Sequence, residues 1–390
     1  MKQAVKPARE SFLVFGNPLI GEAEIEEVVA TLRSGWIGTG PRVARFEEMM
    51  RAYTEAHYAV AVSSCTAALH LSLLVLGIGP GDEVITTPMT FVATANAIVH
   101  TGAKPVFSDV DRRTMLLDPE KIEAAITLRT KAIIPVHLAG RPCAMDEITA
   151  IARRHGLHVI EDAAHCIEGR YRDRKIGSIG DLTCFSFYVT KNLTTAEGGM
   201  VTTDNEEWAD KIRCLALHGM DKDAYHRFSE RGYKHYQVVA PGFKYNMTDI
   251  QAALGIHQLK RIEASWIRRD EIWNWYQEAL SDLPIHLPAP DERNLRHARH
   301  LFTIQVYEEE CGKSRDQILS DLARQKIGTG VHYTPVHLHP YYRKTFGFTE
   351  GSYPNAEWIG EGTLSLPLDA RLTNEDVEDV IAALHRSLAD

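Results

Sequence analysis

Between residues 57 and 204 the chain alternates short β-rich runs with longer helical patterns, and this alternation limits its fold more than any other feature. Runs such as HYAVAV and KAIIPVHL are apolar and β-branched, whereas intervening segments such as TAALHLSLLVLGI carry apolar residues at helical spacing. This order predicts a largely parallel sheet with helices on both faces. The seven candidate strands are residues 57–62, 83–88, 104–110, 131–138, 157–164, 182–188 and 199–204.

The pattern changes near residue 255. IHQLKRIEASWIRRDEIWNWYQEAL has the spacing of one long amphipathic helix, and it is followed by short strands such as LFTIQVY and by a terminal helix, DVEDVIAALHRSLAD. Because 390 residues are enough for two cores, we predict a large domain at 1–255 and a smaller C-terminal domain at 256–390. In the first 56 residues, GEAEIEEVVATLRSG predicts a helix and GWIGTGPRV a Gly-rich loop.

Charge and cysteine content narrow the class of protein. The formal net charge of −9 disfavours nucleic acid and anionic membranes as main partners, because both require concentrated lysine and arginine. Six cysteines without a CxxC pair indicate reduced core thiols. MKQAVKPARESF lacks the apolar stretch of a signal peptide, and no apolar run is long enough to span a membrane, so we expect a cytoplasmic protein.

Open α/β sheets bind ligands at the carboxyl ends of their strands, so the residues just after the predicted strands form the candidate site. SSCTAAL follows the first strand and places hydroxyls and free N–H groups at a helix N-terminus. That arrangement suits a phosphate, and an ordinary N-cap has the same pattern. Phe91 begins the helix after the second strand, either to stack on an aromatic ring or as a core residue.

Two ionisable residues follow later strands. Asp162 ends a buried apolar strand, where an unpaired carboxylate is costly, so it requires a salt bridge or a cationic ligand. Lys191, in FSFYVTKNLTTAEGGMV, either extends to water or acts as a nucleophilic amine. A phosphate site, an aromatic platform, a buried carboxylate and a lysine on one sheet edge match the needs of pyridoxal 5'-phosphate (PLP), which forms a Schiff base with lysine and works with a protonated ring nitrogen.

These motifs resemble those of the DegT/StrS type of nucleotide-sugar aminotransferases, which are PLP-dependent transferases of fold-type I. The resemblance runs from GWIGTGPRV to LSLPLDARLT and includes GDEVITTPMTFVATANAI, HVIEDAAH, FSFYVTKNLTTAEGGMV, PGFKYNMTDIQAALG and HYTPVHLHPYY. It implies an α/β fold of three layers (αβα) around a mostly parallel seven-stranded sheet, with a smaller C-terminal α+β domain. It also implies a homodimer whose active sites lie at the subunit interface, each completed by a loop of the partner.

The resemblance also implies roles for single residues. Lys191 would be the Schiff-base lysine and proton carrier, Asp162 would contact the pyridine nitrogen, and His165 would lie near the phenolic oxygen, where a plain strand-end histidine is the alternative. The other implied cofactor-binding residues are Cys65, Thr66, Phe91, Ser186 and the partner subunit's Asn246. The implied substrate contacts are Trp36, Ile37, His332 and Tyr333.

Two positions depart from the commoner family pattern. Cys65 stands where glycine is common, and GFKYNM replaces GYNYRM, which leaves open whether Lys244 or Asn246 crosses the interface. Both variants, and the histidine of EDAAH, are similar to the branch that makes UDP-4-amino-4-deoxy-L-arabinose. Some relatives carry histidine in place of the Schiff-base lysine and deoxygenate their substrates, and Lys191 argues against that activity.

The resemblance therefore implies transfer of the amino group of L-glutamate to a nucleotide-linked 4-keto sugar, with a UDP sugar favoured. The alternatives are amination of a non-nucleotide ring such as a keto-cyclitol, and a non-catalytic regulatory role. The three histidines of HYTPVHLHP are a conceivable metal site, but no cysteine or carboxylate cluster accompanies them in the sequence. We expect no metal.

Overall fold

A seven-stranded sheet forms the centre of the computed structural model, which describes residues 9–220 and 235–389. The strands as far as residue 203 are β1 Tyr58–Val62, β2 Glu83–Thr86, β3 Lys104–Phe107, β4 Thr130–Ile134, β5 His158–Asp162, β6 Arg170–Tyr171, β7 Arg174–Lys175, β8 Leu182–Ser186 and β9 Gly199–Thr203. The order in the sheet is β1-β9-β8-β5-β4-β2-β3, whereas β6 and β7 pair outside it.

The strand directions bring most carboxyl ends to one edge. Strands β3, β2, β4, β5 and β8 are parallel to one another, and β9 is antiparallel to both β8 and β1. Because β1 opposes β9, it points the same way as β8, so every strand of this sheet except β9 ends at the same edge. The predicted seven strands and the largely parallel sheet are confirmed.

Helices cover both faces of the sheet. They are α1 Glu22–Ser34, α2 Pro41–Thr54, α3 Cys65–Val75, α4 Val92–His100, α5 Pro119–Ala125, α6 Met145–His155 and α7 Glu206–Ala216. Along β1, Val60 and Val62 belong to a core cluster with α3, α4 and α7, whereas Ala59 and Ala61 belong to a cluster with α2. Since side chains alternate along a strand, the two clusters lie on opposite faces, and the three-layer αβα arrangement is confirmed.

The C-terminal part adds helices around a two-stranded sheet. Its elements are α8 Asp249–Lys260, α9 Ile262–Ala279, β10 Leu295–Arg296, β11 Phe302–Gln305, α10 Glu308–Cys311, α11 Arg315–Arg324, α12 Pro340–Phe346, α13 Pro354–Gly362, β12 Thr363–Leu366 and α14 Asn374–Ala389. β11 and β12 pair antiparallel and share a core with α9, α11 and α14. The strand in LFTIQVY and the terminal helix are confirmed. The boundary at 255/256 falls inside α8, and the division into two domains stays a prediction.

Two predicted elements differ from the structure. The single long helix is wrong, because α8 ends at Lys260 and the backbone leaves helical geometry at Arg261, with φ −106° and ψ 6°. α8 packs on α1 and α2, whereas α9 packs on β11 through Tyr276. Each helix buries an apolar face, so apolar spacing continues through the junction and conceals the break. The Gly-rich loop is shorter than predicted, because Pro41 begins α2.

All six cysteines are free thiols, and four of them are buried in the core. Within residues 9–220 and 235–389, no helix is both long and apolar enough to cross a membrane.

Candidate active site

The carboxyl edge of the sheet borders a cavity of about 570 Å³. That volume is within the range of small-molecule sites. Of the twelve residues predicted for the site, nine line it: Cys65, Thr66, Phe91, Asp162, His165, Ser186, Lys191, His332 and Tyr333. The strand-end rule therefore placed residues from distant parts of the chain at one cavity.

The loop between β1 and α3 forms one wall of the cavity. Ser64 is an ordinary N-cap, since its hydroxyl accepts a hydrogen bond from Ala67 N–H at 3.1 Å. The Cys65 side chain turns into the core, where its Sγ lies 3.6 Å from the Cys184 carbonyl oxygen. Position 199 must be glycine here, because a Cβ would lie 2.4 Å from the Ser64 carbonyl carbon.

Two hydroxyl residues complete this wall. Thr66, in the first turn of α3, and Ser186, at the end of β8, both line the cavity. The N-terminus of an eleven-residue helix presents backbone N–H groups and a partial positive charge. The wall is therefore suited to an anion such as a phosphate, although the Ser64 hydroxyl is already committed to the cap.

Asp162 is a buried carboxylate at the end of β5. Thr94 Oγ1 donates to it at 2.8 Å and Ala164 N–H at 3.1 Å, and the residue is 5% exposed. Burial raises the pKa of Asp162, and these hydrogen bonds oppose the rise. No lysine or arginine of the described ranges forms a salt bridge with it, so the salt-bridge interpretation is wrong for this part of the chain. Its charge is suited to a cationic ligand.

Lys191 lies in the turn after β8 and its side chain lines the cavity. Burial lowers its pKa to about 8, and attraction to Cys65 and Asp162 opposes this shift. The Lys191 side chain therefore does not extend into bulk water, as many lysines at strand ends do. An amine with this pKa is partly uncharged near neutral pH, as a nucleophile requires.

His165 has a defined tautomer. Ala139 N–H donates to its Nδ1 at 3.2 Å, so Nδ1 carries no hydrogen and the hydrogen of the neutral ring is on Nε2. Burial lowers the pKa of His165 well below its usual value, which keeps the ring neutral. Nε2 lies 3.3 Å from Tyr333 Oη. His165 therefore presents a hydrogen-bond donor to the cavity side.

Phe91 and the segment containing His332 and Tyr333 face the cavity from other elements. Phe91 is 58% exposed, so the core interpretation is wrong, and its ring centroid is 5.8 Å from that of Tyr333. His332 Nδ1 is 2.8 Å from Ser365 Oγ, and burial lowers the pKa of His332 to about 4. An exposed aromatic ring at the mouth of a cavity is suited to stacking on a ligand.

Three predicted residues do not line this cavity. Trp36 and Ile37 are 54% and 49% exposed, and Trp36 Nε1 donates to the Thr39 carbonyl oxygen at 3.0 Å. Asn246 Nδ2 donates to Thr39 Oγ1 at 2.7 Å, while its Oδ1 is buried and has no partner in the described ranges. Lys244 is exposed. Their roles stay predictions.

The structure also adds residues that the sequence did not single out. They include Thr94, His300, Tyr188, Phe15 and Glu197, all of which line the cavity. Thr94 follows Phe91 by one turn of α4, so helical spacing was a usable signal for it. His300 precedes β11 in another region of the chain, and no local pattern indicated it.

Two of the three histidines of HYTPVHLHP have separate side-chain partners. His337 Nε2 is 2.9 Å from Glu357 Oε1, and His332 pairs with Ser365. Among the described residues, no three His, Cys, Asp or Glu side chains are grouped as a metal site would require.

Comparisons with known proteins cover nearly the whole chain. The model of the DegT/DnrJ/EryC1/StrS aminotransferase family matches residues 18–385. The chain is 54% identical over 377 residues to the spore coat polysaccharide biosynthesis protein SpsC of Bacillus subtilis, with 96% of this chain and 97% of SpsC covered. The PMP-form structure of Spr1654 from Streptococcus pneumoniae has a TM-score of 0.91 at 38% identity and covers 97% of this chain and 99% of its own.

A further similar structure comes from Helicobacter pylori. Helicobacter pylori PseC, an aminotransferase involved in the biosynthesis of pseudoaminic acid, has a TM-score of 0.90 at 28% identity, with 97% of this chain and 100% of PseC covered. The sequence resemblance and the fold-type I architecture are thus confirmed. The chain belongs to the DegT/DnrJ/EryC1/StrS aminotransferase family and is an enzyme, a sugar aminotransferase.

Proposed function

We propose that this enzyme uses PLP to transfer the amino group of L-glutamate to a nucleotide-linked 4-keto sugar, with UDP sugars favoured. The observation that carries the proposal is the presence, in one cavity, of a lysine with a lowered pKa and a buried carboxylate without a salt-bridge partner in the described chain. The structures of Spr1654 in its PLP and PMP forms support the cofactor.

The residues present fit PLP. When bound, PLP supplies an aldehyde and an electron-accepting ring, which allow an amino group to leave one carbon and join another. The N-terminus of α3 with Thr66 and Ser186 would hold the phosphate. Asp162 would keep the ring nitrogen protonated, and Phe91 would lie against the ring. Lys191 would attach the cofactor through Nζ.

The side chains around the ring would then control protons. Lys191 Nζ would carry a proton between two carbons of the reacting molecules. Because its pKa is about 8, part of the amine is uncharged near neutral pH and can accept that proton. His165 would donate its Nε2 hydrogen, which faces Tyr333 Oη in the single chain, to the phenolic oxygen instead. Asp162 would stay charged because a cation beside it offsets the cost of its burial.

The substrate class rests on relatives and on the surface loop. The variants in SSCT, GFKYNM and EDAAH are similar to the branch that aminates C4 of UDP-linked sugars, and SpsC is named for polysaccharide biosynthesis. Trp36 and Ile37 are exposed in a loop that is suited to a sugar and a phosphate linkage. In a dimer this loop would serve the partner's cavity, together with Lys244 or Asn246.

A panel of keto compounds tests which molecule accepts the amino group. Enzyme, PLP and L-glutamate are incubated separately with UDP-, dTDP- and GDP-linked 4-keto sugars and with a free keto-cyclitol, and products are identified by mass. We expect an amino sugar from the nucleotide-linked ketones and the fastest turnover with UDP. Product from the cyclitol alone would overturn the substrate class and leave the amino-transfer chemistry in place.

PLP capture by the cofactor-free enzyme should depend on pH in a specific way. Only the uncharged amine reacts, and burial lowers the pKa of Lys191 to about 8. The capture rate should therefore rise about tenfold per unit below about pH 7 and be nearly flat above about pH 9. Stopped-flow absorbance measures this rate, with Lys191→Ala as the blank. A rate that still rises tenfold between about pH 9 and pH 10 would show an ordinary lysine pKa.

We predict an obligate homodimer with shared sites. Val238 and Val239 are each 63% exposed in the single chain, and Trp36 and Ile37 are 54% and 49% exposed. A subunit interface would cover apolar side chains of this kind. Sedimentation should give a dimer at the concentrations used for assays. A fully active monomer would contradict the prediction.

Subunit complementation tests which residue crosses the interface. Lys191→Ala and Asn246→Ala homodimers should both be poorly active. If Asn246 serves the partner's site, a mixed dimer contains one intact site, and random mixing should restore about a quarter of wild-type activity. The same experiment with Lys244→Ala is the matched comparison. Restoration by Lys244→Ala and not by Asn246→Ala would assign the crossing to the lysine.

A further inference from the structure

His300 lines the cavity beside the residues proposed to hold PLP. It lies just before β11, is 6% exposed and lines the cavity, with its ring centroid 4.4 Å from that of His165. Its backbone is also held, since the N–H group donates to the Ala139 carbonyl oxygen at 3.1 Å. The ring of His300 thus stands at a defined place beside the proposed cofactor site.

The tautomer of His300 follows from its neighbour Asn192. Asn192 Nδ2 donates to Glu168 Oε2 at 2.8 Å and to the Ala298 carbonyl oxygen at 2.9 Å, and both are acceptors. Asn192 Oδ1 is therefore the atom that faces His300 Nδ1, at 2.9 Å. Because an amide oxygen only accepts, Nδ1 must carry the hydrogen, and Nε2 of the neutral ring is unprotonated.

A buried ion pair anchors this arrangement. Glu168, which accepts from Asn192, also pairs with Arg269, and these residues are 0% and 3% exposed. Arg269 Nε donates to the Arg299 carbonyl oxygen at 3.1 Å, directly before His300 in the chain. A buried network whose members are all satisfied is rigid, so the position and tautomer of His300 are well determined.

The two neighbouring imidazoles therefore have opposite hydrogen-bonding character. Nε2 of His165 is a donor, whereas Nε2 of His300 is an acceptor and has no hydrogen-bond partner among the described residues. L-Glutamate, once its amino group is engaged in transfer, offers only carboxylates, which accept hydrogen bonds. A sugar offers hydroxyl groups, which donate. His300 Nε2 can therefore form a hydrogen bond with a sugar hydroxyl but not with a carboxylate of L-glutamate.

We propose that His300 is a specificity-determining residue, which accepts a hydrogen bond at Nε2 from a hydroxyl of the acceptor sugar, and that Asn192 is its positioning residue. This inference rests on the proposed function and names one contact within it. His300 Nε2 should favour a sugar with a hydroxyl at this position over one without it. A sugar that lacks the hydroxyl would bury Nε2 without a hydrogen-bond donor, which is costly.

Two variants separate the two nitrogens of the ring. In His300→Asn the amide takes the place of Nδ1 and keeps the contact to Asn192, but Nε2 is lost; in His300→Gln the amide reaches the place of Nε2. The two half-reactions are followed by cofactor absorbance, with L-glutamate alone and then with a UDP-linked 4-keto sugar. His300→Asn should slow the sugar half-reaction about tenfold more than the glutamate half-reaction, as expected for one lost hydrogen bond. His300→Gln should recover part of this difference.

His297→Asn is the matched control, since it changes a buried imidazole nearby that does not line the cavity. It should slow both half-reactions equally. Equal slowing in His300→Asn, with both half-reactions measurable in the wild type, would overturn the role of His300 and leave the proposed function in place. Absence of the glutamate half-reaction in the wild type would instead overturn the function.

The protonation of His300 can also be measured directly in the wild-type holoenzyme. This test does not require the His300 variants to be active. Nitrogen-15 NMR of histidine-labelled enzyme distinguishes ring nitrogens that carry hydrogen from those that do not. The signals that disappear in His300→Gln and in His300→Asn belong to His300. They should show hydrogen on Nδ1 and none on Nε2. Hydrogen on Nε2 would overturn the proposal.

Discussion

Replacement of Lys191 by alanine should reduce amino transfer by a factor on the order of 10⁴, because covalent attachment and proton transfer both lose their amine. The fold should persist, since the variant removes a buried amine whose charged form burial already disfavours. We expect the melting temperature of the cofactor-free protein to change by less than about 3 °C. Turnover assays and thermal unfolding measure the two effects.

Three controls show whether the amine itself is responsible. Lys191→Arg keeps a cation but cannot supply a free amine near neutral pH, so it should be equally inactive. Lys121→Ala changes a surface lysine beside Asp109 and should keep full activity. Added methylamine should partly restore the Lys191→Ala enzyme, because it replaces the missing proton carrier. Near-normal turnover of Lys191→Ala would contradict the mechanism.

Asp162→Asn should slow amino transfer by a factor of about 10² to 10⁴ while PLP remains bound. The amide fits the same space, because its oxygen can accept from Ala164 N–H and its nitrogen can donate to the rotatable Thr94 hydroxyl. The lost charge no longer keeps the ring nitrogen protonated, so the ring accepts electrons less well. Half-reaction rates and bound-cofactor spectra measure these effects. A wild-type rate would show that Asp162 is only structural.

Glu161→Gln is the matched control for Asp162→Asn. Glu161 precedes Asp162 on β5 and therefore faces the other side of the sheet, where its Oε2 is 2.9 Å from His137 Nε2. Loss of this buried charged contact should lower the free energy of unfolding by about 1–3 kcal/mol. The folded fraction should keep its activity within a fewfold margin. A drop as large as that of Asp162→Asn would show that the effect is not specific to the ring nitrogen.

The edge of the sheet was predictable from sequence because parallel strands share it. Once β5 and β8 were recognised, Asp162 and Lys191 had to lie near each other, although 28 residues separate them. The same reasoning brought Phe91 and Thr66 to this edge. It could not decide how each side chain is used: Ser64 caps α3, and Cys65 points into the core. Those outcomes depend on packing with β8 and β9, which local patterns do not encode.

Contacts between distant segments were the part that sequence reasoning missed. His300 meets His165 and Asn192 only because the chain returns to the cavity after α9, through a loop with no regular pattern. The break at Arg261 was invisible for a similar reason, because α8 and α9 both bury apolar residues and the apolar spacing continues across the junction. Periodicity indicates which side chains of a helix are buried, but it does not indicate which other element they pack against.

The most direct test of the central claim follows the nitrogen itself. Purified enzyme with PLP is given ¹⁵N-labelled L-glutamate and a UDP-linked 4-keto sugar, and the sugar nucleotide and keto acid are then measured by mass. Our account predicts an amino sugar that carries the label, formed in equal amount with 2-oxoglutarate, and no labelled product from Lys191→Ala. Wild-type enzyme that binds PLP yet forms neither labelled sugar nor 2-oxoglutarate would contradict it.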